Sequence, residues 1–190
     1  ADHRPRGFEI SFGFDASGGL NHPEPVSLQL GETTVRLRGL IDRVDRTDGG
    51  YIVWDYKTGS AFLYDESDLL GSGEHLQWAL YAHVFSEIMT GEEPQRAILS
   101  GYYFASDREH GRKILAMPPT KKELGKLLRP VLGLAGKGAY PPIQKTSHCR
   151  FCDYKTICGH EGMLHRSIST DLDAGSDPEL IGLVTEWLSN

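Results

Sequence analysis

Residues 35–59, VRLRGLIDRVDRTDGGYIVWDYKTG, constrain this chain more than any other stretch. Two runs with strand character flank Asp48-Gly49, a dipeptide that tolerates the positive φ angles of a two-residue hairpin turn. Such a loop pairs Thr47 with Gly50, and counting outward places Asp42 opposite Asp55. Directly opposed residues point to one face with Cβ atoms about 5 Å apart. Lys57, two residues beyond Asp55, projects from the same face. The pattern therefore predicts two carboxylates and an ammonium converging on one spot of a sheet.

Two like charges held that close cost free energy unless a cation sits between them. A hard divalent ion, Mg²⁺ or Mn²⁺, suits carboxylate oxygens and leaves coordination positions for water and phosphate. A lysine beside it can hold the attacking water and offset charge developing on phosphorus. The competing reading is an ordinary hairpin with solvated charges. The apolar flanks Leu40, Ile41, Val44, Ile52, Val53 and Trp54 argue against it, because they embed the charged positions in a core.

Gly39-Leu40-Ile41-Asp42-Arg43-Val44-Asp45 followed by Asp55-Tyr56-Lys57-Thr58-Gly59, with twelve residues between Asp42 and Asp55, resembles the PD-(D/E)XK nucleases. More narrowly it resembles the RecB/AddB-like nuclease domain of helicase–nuclease complexes that process broken DNA ends. The resemblance implies metal ligation by Asp42 and Asp55, a catalytic role for Lys57, and a further ligand from the Tyr56 carbonyl. It also implies DNA as substrate, in double-strand-break repair and recombination, and partnership with a helicase domain or subunit.

At 190 residues one domain with a real core is expected. A net charge of −6 argues weakly against a free-standing nucleic-acid binder. No run of 18 apolar residues and no basic-then-apolar leader occur, so neither membrane span nor secretion is expected, and a cytoplasmic location is. The chain opens Ala-Asp-His rather than with Met. Together with the missing helix ahead of the first strand, which in the family brings a His or Glu near the metal, this suggests a start late within the domain.

Along the chain, 7–14 alternate as a strand with Phe8, Ile10, Phe12 and Phe14 on one face. Glu9 falls on the other face, as a solvated residue in preference to a metal neighbour. A Gly/Pro/Asn-rich loop, 15–25, leads to a short strand at Val26–Leu30. A helix is expected from Glu74 to Met89, with Leu76, Leu80, Val84 and Ile88 as its buried stripe. Gln77 and Tyr81 share a second face. Alone they read as an amphipathic rim, but they match the Gln-x-x-x-Tyr motif of the RecB-like family, which implies holding the DNA backbone or orienting the lysine. Strands at 96–104 and 113–117 precede a helix from Lys121 to Leu134 with Thr120 as its N-cap. This order predicts a single-domain α/β fold, a central mixed β-sheet flanked by helices, as in restriction-endonuclease-like cores. That core is expected over 1–160, with 161–190 a C-terminal extension carrying a helix from Pro178 to Leu188.

Cys149, Cys152 and Cys158 are all the cysteines of the chain. Their odd number and the lack of a leader argue against disulfides. Soft thiolates select zinc or iron–sulfur, and His148 or His160 would complete a Cys₃His zinc site. The resemblance implies instead a [4Fe–4S] cluster in the full-length protein. Its ligands would be these three cysteines and a fourth cysteine absent from this chain.

Three rival functions remain at this point: a non-catalytic nuclease-like scaffold or DNA-binding module, a stand-alone exonuclease of CRISPR adaptation, and a site-specific restriction endonuclease. The scaffold's usual mark is loss of a carboxylate or the lysine, and Asp42, Asp55 and Lys57 are all present. The adaptation exonucleases usually end soon after the last cysteine, and restriction enzymes rarely carry such a cysteine group.

Overall fold

Tyr51-Ile52-Val53-Trp54 is a continuous apolar run, and such a strand must be covered on both faces. It lies at the centre of the sheet. The structure, a computed structural model, describes residues 3–16, 18–89, 96–140, 152–154 and 177–189. Among them the strands are β1 (Arg4–Phe12), β2 (Val26–Leu30), β3 (Thr33–Leu37), β4 (Gly39–Thr47), β5 (Gly50–Lys57), β6 (Ala97–Phe104) and β7 (Lys113–Ala116). The helices are α1 (Gln77–Ile88), α2 (Lys121–Gly136) and α3 (Pro178–Ser189). Five strands form one sheet in the order β1-β4-β5-β6-β7, and β2 pairs with β3 separately. Within the large sheet β5 and β6 are parallel and the other pairs antiparallel, which makes it the mixed sheet expected.

Parallel neighbours need a crossover, and α1 supplies it between β5 and β6. Ser100, fully buried on β6, ties the layers together. Its hydroxyl lies 3.0 Å from the Val53 carbonyl on β5 and 2.8 Å from the Trp78 carbonyl on α1, sharing one proton between them. The buried residues of α1 are Trp78, Ala79, Ala82, Val84 and Phe85. Of the stripe predicted from the sequence, Val84 is fully buried and Leu76, Leu80 and Ile88 are half-buried. The helix packs against β2 as well as β5 and β6, so more than one of its faces meets protein.

Three further expectations change. Val35–Leu37 do not extend the central hairpin; they pair with Val26–Leu28 in the small sheet, and β4 begins only at Gly39. Ile10 and Phe12 are buried, but Phe8 is 58% and Phe14 46% exposed. Both sit at the edge strand β1 or just beyond it, each beneath a guanidinium, Arg43 over Phe8 and Arg38 over Phe14. Glu9 between them is exposed and holds a φ of 49, a left-handed conformation unusual for a residue inside a strand.

Thr120 caps α2 as predicted. Its hydroxyl accepts the Glu123 N–H at 3.2 Å, while the Glu123 carboxylate accepts the Thr120 N–H at 2.7 Å, a reciprocal capping box. The chain forms two compact units, Ala1–Lys126 and Leu127–Asn190. In the second, Leu134, Leu183 and Val184 make a small core. Arg129 pairs there with Glu186, and Lys137 with Asp177 and Glu179. No helix among the described residues is long and apolar enough to cross a membrane.

Candidate active site

The loop between β4 and β5 has the expected length, since Thr47 pairs with Gly50. Its conformation differs from the prediction. Asp48 and Gly49 keep negative φ, and the positive value, 152°, falls on Gly50. Thr47 closes the turn instead, its hydroxyl accepting the Gly49 N–H at 3.3 Å and donating to the Gly50 carbonyl at 3.0 Å. A Cβ at Gly50 would lie 2.8 Å from the Arg96 carbonyl oxygen and 2.7 Å from Ile98, so only glycine lets β5 start against β6.

From that turn the ladder runs in register as far as Arg43 opposite Trp54. One step further Asp42 leaves the pairing pattern: its carboxylate accepts the Tyr56 N–H at 2.7 Å. Asp55 is 3% exposed, and Lys57 Nζ stands 2.5 Å from its Oδ2. The same ammonium donates to Gln77 Oε1 at 3.2 Å, and Gln77 Nε2 donates to the Tyr81 hydroxyl at 3.0 Å. Tyr81 in turn meets Phe12 edge-to-face, 5.8 Å between centroids. A side chain at Gly39 would collide with Phe12 at 2.9 Å and approach the Tyr81 hydroxyl to 3.2 Å, so the glycine that opens β4 makes room for this contact. Asp42, Asp55, Lys57, Gln77 and Tyr81 are thus joined through one run of contacts, built from β4, β5 and α1.

Burial raises the Asp55 carboxyl to about 6 from an ordinary value of 3.8; Lys57 pulls it down and Asp42 adds to the rise. Its buried Oδ2 meets no donor in hydrogen-bond geometry. A desolvated, under-bonded carboxylate with a second carboxylate beside it is a donor set that a hard cation satisfies. Among the described residues no third His, Cys, Asp or Glu joins the pair. A cation there would draw its remaining ligands from water, substrate and main-chain oxygen such as the Tyr56 carbonyl, a mixture typical of Mg²⁺.

Tyr102 was missed by the sequence reading. It pairs with Asp55 across β5 and β6, and Lys57 Nζ lies 5.5 Å from the centre of its ring. The alternation of Ser100, Tyr102 and Phe104 contains this placement once the partner strand is known. Burial, with Asp55 and Tyr64 adding, keeps the Tyr102 hydroxyl protonated far above its usual range.

On the opposite face of β4 and β5, Asp45 is fully buried and accepts from Arg43 at 2.6 Å and from the Trp54 indole at 2.9 Å, with His3 Nδ1 at 2.8 Å. Burial pushes the Asp45 carboxyl up, but Arg43, Trp54 and His3 together hold it below the ordinary range. This acid of the Gly39–Asp45 motif is structural.

Cys149, Cys158, His148 and His160 lie outside the described residues, and Cys152 is exposed. The cysteine group is therefore not placed.

The model of the PD-(D/E)XK nuclease superfamily matches residues 1–159. The chain belongs to this superfamily. A segment of 77 residues, 40% of the chain, is 34% identical to an ATP-dependent helicase/nuclease subunit of Clostridium perfringens. The match covers 6% of that relative's length. The α/β fold with a mixed five-stranded sheet agrees with a restriction-endonuclease-like PD-(D/E)XK core.

Proposed function

We propose that this chain is a metal-dependent DNA nuclease of the RecB/AddB-like type, hydrolysing phosphodiesters in a helicase–nuclease that acts on broken DNA ends. The observation that carries the reading is the unbroken run Asp42–Tyr56 N–H, Asp55–Lys57–Gln77–Tyr81 on one face. Likeness of part of the chain to a helicase/nuclease subunit supports the helicase partner. Retention of both carboxylates and the lysine favours an enzyme over a scaffold.

In this reading Asp42 and Asp55 would hold a Mg²⁺ or Mn²⁺ ion, with the Tyr56 carbonyl as a main-chain ligand. When bound, the ion polarises a phosphate oxygen and makes a water more acidic. Lys57 points its ammonium at the space where charge builds on the phosphate and donates a hydrogen bond to the attacking water or a phosphate oxygen. Gln77 Oε1 accepts a hydrogen bond from one of the three Lys57 N–H groups and so limits the directions the others can point. Tyr81 holds the Gln77 amide in the orientation that presents its oxygen, not its NH₂, to Lys57. The N-terminus of α1, which no side chain caps, adds partial positive charge beside the same spot. Water oxygen forms the new bond to phosphorus, the bridging P–O bond breaks, and the products are a phosphomonoester and an alcohol.

End-labelled linear DNA with Mg²⁺ or Mn²⁺ tests this, with Asp55→Ala and Lys57→Ala beside the wild type. Metal-dependent loss of label in the wild type alone supports the proposal. No cleavage by the wild type, or equal cleavage by Lys57→Ala, contradicts it. The cysteine group is proposed as a [4Fe–4S] site completed from elsewhere in a longer protein, checked by iron and sulfide content of such a protein.

A further inference from the structure

Phe62 is 91% exposed and Leu63 72%, and Phe62 is the most exposed large apolar side chain among the described residues. Both stand on a single 3₁₀ turn, Ala61–Leu63, shortly after Lys57. Apolar side chains held out in water on a fixed turn mark a surface that something covers. We propose that Phe62 stacks on a base of the DNA strand bound at the carboxylate site, with Leu63 beside it; this rests on the nuclease reading above.

Position is the first argument, because the turn is anchored on the face of the sheet that carries Asp55 and Lys57. Tyr102 and Phe104 are the β6 partners of Asp55 and Lys57, so their side chains share that face. Tyr64, which ends the turn, lays its ring against both, 4.5 Å from Tyr102 and 5.3 Å from Phe104 between centroids. The Lys57 ammonium approaches the same Tyr102 ring to 5.5 Å. Tyr64 also meets His75 at 4.7 Å, two residues ahead of the Gln77 that binds Lys57. The segment bearing Phe62 is therefore tied to the lysine twice, through Tyr102 and through the start of α1.

Rigidity is the second. The Ser60 hydroxyl caps the turn by accepting the Phe62 N–H at 3.3 Å. Glu109, from the hairpin between β6 and β7, accepts from Ser60 Oγ at 2.9 Å and from the Ala61 N–H at 3.1 Å. Ala61 is buried, and the Tyr64 N–H closes the turn on the Ala61 carbonyl at 3.1 Å. The backbone beneath Phe62 is thus fixed on both sides, and an aromatic ring on a fixed backbone loses little freedom when it stacks.

Charge is the third. Asp65, Glu66 and Asp68 follow the turn directly. Glu66 pairs with Arg112, while Asp65 and Asp68 accept N–H groups of Ser67, Gly71 and Ser72 within their own loop. Carboxylates beside the turn repel a phosphodiester but not a neutral base. The phosphate is left to Lys57 and the base to Phe62, whose ring stacks on any base because every base has a π-face.

The test titrates the chain, with Mg²⁺, into a phosphorothioate oligonucleotide carrying 2-aminopurine, whose fluorescence falls when the base stacks on an aromatic ring. Phe62→Ala and Phe62→Trp are compared with the wild type, and circular dichroism verifies their folds. Expected are saturable quenching by the wild type, its loss in Phe62→Ala and its return in Phe62→Trp. On a cleavable short oligonucleotide, Phe62→Ala should raise KM about tenfold with kcat changed less than twofold, the mark of lost uniform binding. Wild-type KM and quenching in Phe62→Ala overturn the inference. So does a wild-type dimer that Phe62→Ala converts to monomer, since the turn then covers a second copy of the chain. Quenching lost in Phe62→Ala by a wild type that cleaves no DNA would sink the nuclease reading and leave the stacking contact; cleavage indifferent to Phe62 would sink the contact alone.

Discussion

Lys57 Nζ donates to Gln77 Oε1 at 3.2 Å across twenty residues of chain. The contact joins the end of β5 to the first residue of α1, so the direction of the ammonium depends on how the helix is seated on the sheet. A lysine with several rotatable bonds would otherwise sample many positions, and that freedom would be lost again in each turnover.

Truncation at Gln77 therefore acts through Lys57. Gln77→Ala is expected to lower kcat about 10- to 100-fold with little change in far-UV circular dichroism. Tyr81→Phe removes one neutral hydrogen bond to the Gln77 amide and is expected to cost about fivefold. Steady-state cleavage of a short oligonucleotide measures both; a Gln77→Ala enzyme at wild-type kcat would detach this residue from the mechanism.

Metal and protons compete at Asp55. Its folded-state carboxyl, raised to about 6 chiefly by burial, binds a proton more tightly than the unfolded chain's near 3.8. In the metal-free protein this group's contribution to stability is therefore fully present below 3.8 and is lost as pH rises through about 6. Added Mg²⁺ or Mn²⁺ should raise Tm at pH 8 and do so less and less below pH 6, the region set by that carboxyl. Asp55→Asn should raise the metal-free Tm at pH 8 and abolish the metal response. A metal response equal at pH 5 and pH 8 would contradict ligation by Asp55.

Asp45 has the opposite sign. Held below 3.8 by Arg43, Trp54 and His3, it contributes stability above that pH, and the contribution is lost as pH falls through its lower folded value. Asp45→Ala leaves the Trp54 indole N–H without its acceptor and takes from the Arg43 guanidinium its paired carboxylate. The expected loss is about 3 kcal/mol, or roughly 10 °C in Tm for a chain of this size. Thermal denaturation at pH 7 reads it directly.

Gly101 tests the packing of the sheet. A Cβ there would fall 2.0 Å from the Ile114 carbonyl oxygen on β7, which is backbone and cannot rotate away. Gly101→Ala is expected to cost about 3 kcal/mol or to yield insoluble protein, whereas alanine at Gly18, with open space around its Cβ position but a positive φ of 92, should cost only about 1 kcal/mol. Urea denaturation of the two variants separates overpacking from backbone strain.

Much of the site was legible because its spacing is local. A two-residue loop and the period of two bring Asp42, Asp55 and Lys57 to one spot whatever surrounds them. The turn conformation was not legible: Asp48-Gly49 suits positive φ, yet the Thr47 hydroxyl offers the loop another closure and Gly50 takes the unusual φ against Arg96 and Ile98. The α1 stripe was misplaced because periodicity measures amphipathicity, and this helix meets protein on more than one face. Phe8 and Phe14 read as core from alternation alone, but an edge strand leaves them partly in water beneath arginines.

By itself, then, the sequence determined the hairpin length, the N-cap at Thr120, the mixed α/β class and the identity of the charged groups, since each follows from interactions within a few residues. Only the tertiary structure decided that Gln77 reaches Lys57, that Tyr102 lies beside Asp55, that Val35–Leu37 pair with β2 and that β1 joins β4 at the sheet edge. Those placements depend on which surfaces bury one another across many residues of chain, and local propensity carries no record of that choice.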